Sequence, residues 1–375
     1  MSFTKNIFPL EPYQGKDMFC DREQELADIK SFLTNGSNVV LISPRRYGKT
    51  GLILRSFDDL SSQNICIYAD IFSASDMYGL IKILSEAVVQ AFAEDSLIKK
   101  FFDTLKAVRP LLSFDPISGI PQVTINFQIE EQKQQTLKNI LDFLEKQPRR
   151  VYIAIDEFQQ VRSFKENNVE AILRTNIQHL RNVKFIFCGS KKHLMLEMFT
   201  NAANPFYESA CSMHLDKIST EKYAPFIKES FHKGGQSIDQ DSIDFILQWT
   251  KRHTYYTQFF CNRIYAEGSD KINLELTKKV ATQILRIEAS NFIEKRDLIT
   301  DGQWNFLVAI AKEGSISQPT AAKFLQKYKL GNASSAKKIV AALVEKELLL
   351  ENISLSGKEY SVYNVFMSRW METLV

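Results

Sequence analysis

What this 375-residue sequence has little of narrows its function first. Its five cysteines, Cys20, Cys66, Cys188, Cys211 and Cys261, include no C-x-x-C pair. They read as reduced, mostly buried residues of a cytoplasmic protein, not as a disulfide framework or a thiolate metal site. Five scattered histidines argue against a histidine-held metal. No stretch approaches the roughly 18 apolar residues of a membrane span, and no apolar run near the start suggests a signal peptide. The formal net charge of +3 is too small to argue for nucleic acid or a membrane surface by itself. There is no internal repeat, low-complexity tract or long charge run. What remains, 45% hydrophobic and 24% charged residues, is ordinary for a globular chain of two or three domains.

The stretch that organises the rest is Val39-Val40-Leu41-Ile42-Ser43-Pro44-Arg45-Arg46-Tyr47-Gly48-Lys49-Thr50. Four apolar, mostly β-branched residues predict a short buried strand, a tight loop follows, and Gly51-Leu52-Ile53-Leu54 opens a helix. Strand, loop and helix in this order form the context of a phosphate-binding loop. Backbone N–H groups and the helix N-terminus then favour an anion at one spot. Lys49 is placed to reach β- and γ-phosphates, Thr50 to offer its hydroxyl to Mg²⁺, and Gly48 to omit a Cβ where phosphate approaches. The usual pattern begins with Gly, where this chain has Ser43. The competing reading, a chance Gly-Lys-Thr in a loop, is weakened by the flanking elements and by a second motif downstream.

That second motif is Val151-Tyr152-Ile153-Ala154-Ile155-Asp156-Glu157, an apolar strand ending in two carboxylates. Active sites of open α/β sheets lie at the C-terminal ends of their strands. Asp156 is the candidate Mg²⁺ ligand, direct or through water, and Glu157 the candidate base for an attacking water. Val183–Ser190 predicts another strand. Its last residue, Ser190, is either a contact for the γ-phosphate or the water, or a plain turn residue.

Around these, residues 1–18 read as an extended arm broken by Pro9, Pro12 and Gly15. Asp21 is the expected N-cap of a helix to about Leu33. Ile65–Phe72 predicts a strand, about Ser75–Glu94 a helix, residues 111–127 an inserted β-hairpin, Glu131–Glu145 a helix, and Met213–Leu215 a short fifth strand. Five strands alternating with helices predict an α/β fold with a parallel sheet and right-handed crossovers. After Asp216 the strand signals stop. Thr220–His232, Asp241–Lys251, Thr254–Glu267 and Asn273–Lys295 predict a small helical domain, the first helix ended by Gly234-Gly235. Helices at Gln303–Ala311, Thr320–Lys327 and Ser334–Glu347, then strands at Leu348–Leu350 and Tyr360–Tyr363 around a polar turn at 354–358, describe a winged helix closed by Val365–Leu374. The expected division is an arm over 1–18, a nucleotide domain over 19–216, a helical lid over 217–297 and a winged helix over 298–375.

In sum the motifs resemble the AAA-type P-loop ATPases first catalogued as an archaeal ATPase family, within the signal-transducing STAND branch. Phe19-Cys20-Asp21-Arg22-Glu23-Gln24-Glu25-Leu26 is similar to that family's F-x-x-R-E-x-E-L box, which lies near the adenine, so Phe19 and Arg22 are implied to bind nucleotide. Ser43–Thr50 resembles the G-P-R-R-x-G-K-T loop, implying nucleotide contacts from Ser43, Pro44, Arg45, Arg46, Tyr47, Gly48, Lys49, Thr50 and the following Gly51. Asp156-Glu157-Phe158 resembles the Walker B ending and Gly189-Ser190 the sensor strand. His253-Thr254-Tyr255-Tyr256-Thr257-Gln258 resembles the lid's G-x-P-Y-Y-x-Q without the Pro. The resemblance implies an ASCE/AAA-type sheet, ATP with Mg²⁺, catalytic roles for Glu157, Lys49 and Ser190, and metal ligation by Thr50 and Asp156. Many relatives carry an Arg after a Tyr-Gly pair before the last strand, whereas Pro205-Phe206-Tyr207-Glu208-Ser209 has none. Arg174, Arg181, Lys191 and Lys192 are the cations that could replace it, so hydrolysis is expected to be slow or partner-dependent. Arg45 and Arg46 are left between phosphate binding, a subunit contact and solvated loop charge. No Asn/Thr-Lys-x-Asp guanine signature follows the fourth strand, in keeping with adenine.

Three functions compete on the sequence. The first is a slow ATPase acting as a switch, with ATP between the sheet and the helical domain and the winged helix as output, alone or with a protein partner or further copies. The second is a DNA-binding regulator using Ser334, Ser335, Lys337, Lys338 and Lys358. Residues 301–375 carry a net charge of only +2, a weak footprint for DNA. The third is a nucleotide-binding scaffold without turnover, which Glu157 argues against.

Overall fold

The fold is that of a computed structural model, which describes residues 7–92, 97–354 and 357–374. Residues 1–6 of the expected arm, Glu94 at the expected helix end, and Leu355 and Ser356 of the expected turn lie outside the described residues. The chain divides into two compact units, Glu11–Asp216 and the remainder on either side of it.

In the unit Glu11–Asp216, a 3-10 turn at Lys16–Met18 precedes α1 (Glu23–Thr34), β1 (Val39–Ile42), α2 (Lys49–Leu60), β2 (Ile65–Asp70), α3 (Met77–Ala91) and α4 (Leu97–Leu105). Then come β3 (Leu111–Phe114), β4 (Pro121–Thr124), α5 (Glu130–Glu145), β5 (Val151–Asp156), α6 (Val169–Ile177), β6 (Val183–Gly189), α7 (Lys192–Thr200) and β7 (Cys211–His214). Five strands form one sheet in the order β2-β5-β6-β1-β7, and every neighbouring pair is parallel. The uninterrupted apolar strands follow from burial on both faces. Val151, Ile153 and Ile155 of β5 point into the core shared with α3, α5, α6 and α7. Tyr152 and Ala154 point the other way, into the core made with α1 and α2. Alternate residues of β1 and β6 divide in the same manner.

Two local expectations are corrected here, and one unassigned stretch gains a helix. Helix α1 begins at Glu23 with Arg22, not Asp21, at its N-cap; Asp21 and Arg22 both take the left-handed conformation (φ 58° and 71°), and the Arg22 side chain makes no capping bond. The stretch before the hairpin folds as α4, whose Phe101 and Leu105 are buried. The hairpin itself is shorter than expected, pairing Leu111 with Thr124 through Phe114 with Pro121.

The other unit contains α8 (Thr220–Lys233), β8 (Ser237–Ile238), α9 (Gln240–Trp249), α10 (Thr254–Ala266), β9 (Lys271–Ile272) and α11 (Leu274–Asp297). Strands do not stop at Asp216 although their signals do: β8 and β9 form a two-residue parallel pair, too short for any periodicity to announce. Phe8 from the chain start is fully buried here, its ring 4.6 Å from that of Phe231. Next come α12 (Asp301–Glu313), α13 (Ala322–Tyr328), α14 (Ala333–Glu345), β10 (Leu349–Ser354), β11 (Gly357–Val362) and α15 (Val365–Glu372). Strands β10 and β11 form an antiparallel wing, joined by a bridge from Ile316 to Tyr360. Helix α12 opens with a capping box between Thr300 and Gln303. Helix α15 anchors to the preceding helices: Arg369 donates to the carbonyls of Trp249 (2.8 Å) and Gln248 (2.9 Å), and Phe366 packs between Trp249 and Tyr256.

Candidate active site

The C-terminal ends of β1, β5 and β6 lie side by side, and the residues that leave these strands form the site. After Ile42 the chain turns through Ser43–Gly48 before α2 begins at Lys49. Arg46 (φ 66°) and Gly48 (φ 95°) adopt left-handed backbone, which for Gly48 carries no steric penalty. Ser43 is buried in the position usually held by Gly. Lys49 is 6% exposed and its ammonium curls back into the loop, donating to the carbonyls of Ser43 (3.1 Å) and Pro44 (3.0 Å). Burial pulls the Lys49 pKa below its ordinary value, while the carboxylates of Asp156 and Glu157 pull the other way. The loop therefore already encloses a cation that lacks a full counter-charge. Arg45 and Arg46 are exposed, and Tyr47 is buried.

Four donors meet on the Asp156 carboxylate. Thr50 Oγ1 and the Tyr68 hydroxyl each donate to Oδ2 at 2.7 Å. Cys188 Sγ (2.7 Å) and the backbone N–H of Glu157 (2.9 Å) donate to Oδ1. Complete burial pushes the Cys188 thiol well up, so it stays protonated and serves as a donor. Burial and then the Asp156 charge raise the Tyr68 hydroxyl far above its usual range. Tyr68 lies on the sheet face that carries α2, which is why it meets Thr50 on the same oxygen. Across the β2–β5 pairing Asp70 stands opposite Asp156; burial first, then Asp156 and Glu157, raise its pKa.

Glu157 leaves β5 in a left-handed conformation (φ 57°), uncommon for a residue with a Cβ. Its Oε2 accepts from Ser190 Oγ (2.7 Å), Ser190 N–H (3.3 Å) and Gln159 Nε2 (2.5 Å). Beneath this turn Phe158, Phe187, Phe199 and Phe206 pack with ring centroids 4.6–6.0 Å apart. Rings at such spacings interact beyond their area burial, and they leave the Glu157 turn little room to shift.

The structure thus brings together Lys49, Thr50, Asp156, Glu157 and Ser190. It places Phe19 near the start of α2: a Cβ on Gly51 would lie 3.6 Å from the Phe19 ring and 2.5 Å from the Pro12 carbonyl, so Gly51 answers to packing. Arg22 is buried; it pairs with Glu25 (2.6 Å) and donates to the Asp216 carbonyl (2.6 Å), joining α1 to the end of the sheet. Of the substitute cations, Lys191 is exposed directly after Ser190, and Arg181 is exposed at the far end of β6. Pro205–Ser209 forms the turn before β7, with Phe206 in the ring cluster.

Tyr68, Cys188, Gln159 and Asp70 were not singled out from the sequence. Cys188 immediately precedes the Gly189-Ser190 pair, and Gln159 follows Glu157 by two, so adjacency to the motifs is the signal that could have found them. Tyr68 and Asp70 depend on β2 lying beside β5, which no local pattern encodes.

Residues 19–252 match a family described as an ATPase domain predominantly from Archaea, and residues 290–373 match one described as a "probable winged helix domain". No curated protein matches the chain. Among solved structures, a Walker-type ATPase of Pyrococcus abyssi is similar over 97% of this chain and 99% of its own, at 18% identity and a TM-score of 0.68. The Aeropyrum pernix ORC2 protein in ADPNP–ADP complexes is similar over 98% of this chain and 96% of its own, at 12% identity and a TM-score of 0.59. The Aeropyrum pernix ORC1 protein in complex with DNA is similar over the same shares, at 13% identity and a TM-score of 0.51. At these identities the likeness is one of fold. Among the described residues no helix is long and apolar enough to cross a membrane.

Proposed function

Because the chain belongs to the family of ATPase domains found predominantly in Archaea, we propose that it binds ATP and hydrolyses it slowly with Mg²⁺, as a switch whose output is the C-terminal winged helix. The observation that carries this reading is the meeting of Thr50 with Asp156 at 2.7 Å, beside Glu157 held by Ser190 at 2.7 Å. In this reading the amides of 43–50 and the ammonium of Lys49 bind the phosphates, and Phe19 and Arg22 lie on the adenine side. The helical segment 217–297 acts as lid and 298–375 as winged helix.

The donor set suits Mg²⁺. Thr50 and Asp156 offer hard oxygens in contact, and Mg²⁺ takes few ligands from protein and the rest from phosphate and water. Among the described residues no group of three or more His, Cys, Asp or Glu side chains forms a metal cage. Bound there, Mg²⁺ supplies charge neutralisation for the phosphates. Tyr68, Cys188 and the Glu157 amide keep Asp156 oriented. Glu157 accepts the proton of the attacking water once its carboxylate leaves Gln159, and Ser190 holds the carboxylate or the water.

Phosphate release by the wild type, Glu157→Gln and Lys49→Ala tests the reading. The expected results are slow turnover, ATP binding without turnover, and lost binding, respectively. Undiminished ATP affinity in Lys49→Ala would sink the loop assignment. Binding without release by the wild type would mean that the missing cation must come from a partner, since Pro205–Ser209 holds no Arg.

A second reading, DNA binding through the winged helix, is supported by exposure of Ser334, Ser335, Lys337 and Lys338 on α14, and by the DNA complex of the ORC1 protein. Against it stand the net charge of +2 over 301–375 and the pairing of Lys358 with Glu351 at 2.7 Å. A duplex that fails to shift even at low salt rules this reading out.

A further inference from the structure

The β3–β4 hairpin is where the ATPase-domain unit leaves most apolar surface uncovered. Ile117 at its tip is 96% exposed, Leu111 64%, Phe114 60%, Ile120 54% and Leu112 36%. One edge is closed: Val123 of β4 is buried and its N–H donates to Glu86 of α3 at 3.0 Å. On its other side β3 pairs with no strand among the described residues. Asp115 N–H donates to the Ile120 carbonyl at 2.9 Å, so Asp115 faces inward. In an antiparallel pair the backbone alternates. Leu111 and Ser113 therefore also face β4, and the N–H and C=O groups of Leu112 and Phe114 face out.

We propose that β3 pairs antiparallel with β3 of a second copy of this chain, in a two-fold arrangement centred on Ser113. Only a register that matches outward residues with outward residues forms a ladder. Centring on Ser113 sets Leu112 of each copy opposite Phe114 of the other and uses all the outward groups of both. Self-pairing of this kind is what an isologous interface requires. Sized as aromatic side chains of about 150–250 Å² each, the five apolar residues expose at most roughly 600 Å² per copy. Two copies thus cover at most about 1,200 Å², the lower bound for a specific interface, since successive side chains of β3 point to opposite faces.

Charge and shape favour a like partner. Between Pro110 and Phe127 the one charged residue is Asp115. Its carboxylate is tied into the turn by the N–H groups of Ile117 (3.0 Å) and Ser118 (2.8 Å) and the Ser118 hydroxyl (2.9 Å). A charged peptide, a nucleic acid or an anionic lipid surface has little to pair with there. The charges that natural proteins place to guard an open edge are missing too. Antiparallel pairing also carries the tip of one hairpin to the base of the other.

Sedimentation velocity of the full chain from about 1 to 100 μM, the range of a modest interface, is the test. The expected result is a concentration-dependent dimer, weakened at least tenfold by Ile117→Asp and by Leu112→Pro with unchanged circular dichroism. Leu112→Pro removes only an outward N–H, which an edge strand tolerates. If that variant misfolds, Ile117→Asp at the exposed tip carries the test alone. Ser113→Cys is expected to cross-link to itself on mild oxidation beyond the wild-type background. Opposed residues of a non-hydrogen-bonded pair have Cα atoms about 4.5 Å apart, within disulfide reach. A wild type that stays monomeric throughout, a dimer indifferent to Ile117→Asp, or hairpin-dependent binding of the monomer to phosphatidylcholine vesicles would each overturn the proposal. ATP turnover is not a readout here, so this inference and the ATPase reading fail separately.

Discussion

Gly189→Ala probes how Glu157 is held. Gly189 ends β6 without a positive φ, so what a methyl group meets there is a matter of space. An added Cβ would stand 1.9 Å from Gln159 Oε1 and 2.8 Å from Met195 Sδ. Ordinary contacts start near 3.5 Å, so the Gln159 amide must retreat by roughly 1.5 Å. It is buried, and its Nε2 donates to Glu157 Oε2 at 2.5 Å, a bond that cannot survive such a move. Overpacking of this kind costs about 1–3 kcal/mol. For a unit of this size that lowers the melting temperature by roughly 3–10 °C. Urea denaturation of Gly189→Ala, Gln159→Ala and the double variant completes the cycle. Because Gln159→Ala removes the closest of the atoms the methyl strikes, leaving only Met195 Sδ, the double variant should be at least about 1 kcal/mol more stable than additivity predicts. Effects that add within about 0.5 kcal/mol would refute the clash, as would a Gly189→Ala protein as stable as the wild type. Phosphate release by Gly189→Ala then reports on Glu157 freed from Gln159.

Two further outcomes follow from the same site. Tyr68→Phe removes one of the two donors to Asp156 Oδ2; it should lower stability by about 1–2 kcal/mol, a hydrogen bond to a charged group at a half-buried position, and raise the Mg²⁺ concentration needed for half-maximal turnover. A change in stability under about 0.5 kcal/mol with an unaltered Mg²⁺ requirement would show that Tyr68 merely fills space. For Lys49, burial lowers the pKa in the free protein and a bound phosphate must raise it again. ATP affinity should therefore be full below the lowered value and fall as pH rises through it toward the ordinary lysine value, with proton uptake on binding in that window. Calorimetry in two buffers of different ionisation enthalpy measures the uptake, and none across the alkaline range would contradict the buried, under-compensated ammonium.

Local pattern was enough for the sheet strands, the Ser43–Thr50 loop and the Asp156-Glu157 pair. A strand buried on both faces must be apolar throughout, and a phosphate loop needs particular residues at consecutive positions, so both leave a mark along the chain. Helix α4 did carry helical spacing, in Leu97, Ile98, Phe101, Phe102 and Leu105, that went unread; the two-residue β8–β9 pair left none, since so short an element takes its conformation from what it packs against. The order β2-β5-β6-β1-β7 was likewise outside the reach of periodicity. That order sets Tyr68 and Cys188, 120 residues apart in sequence, on one carboxylate with Thr50. The same holds for the left-handed turn at Glu157 and for the bare edge of the hairpin. By itself the sequence determined which residues carry charge, hydroxyl and apolar bulk, and where the chain turns. Only the tertiary structure decided which of them meet, because hydrogen bonds and cross-strand contacts depend on distances between segments that no local spacing encodes.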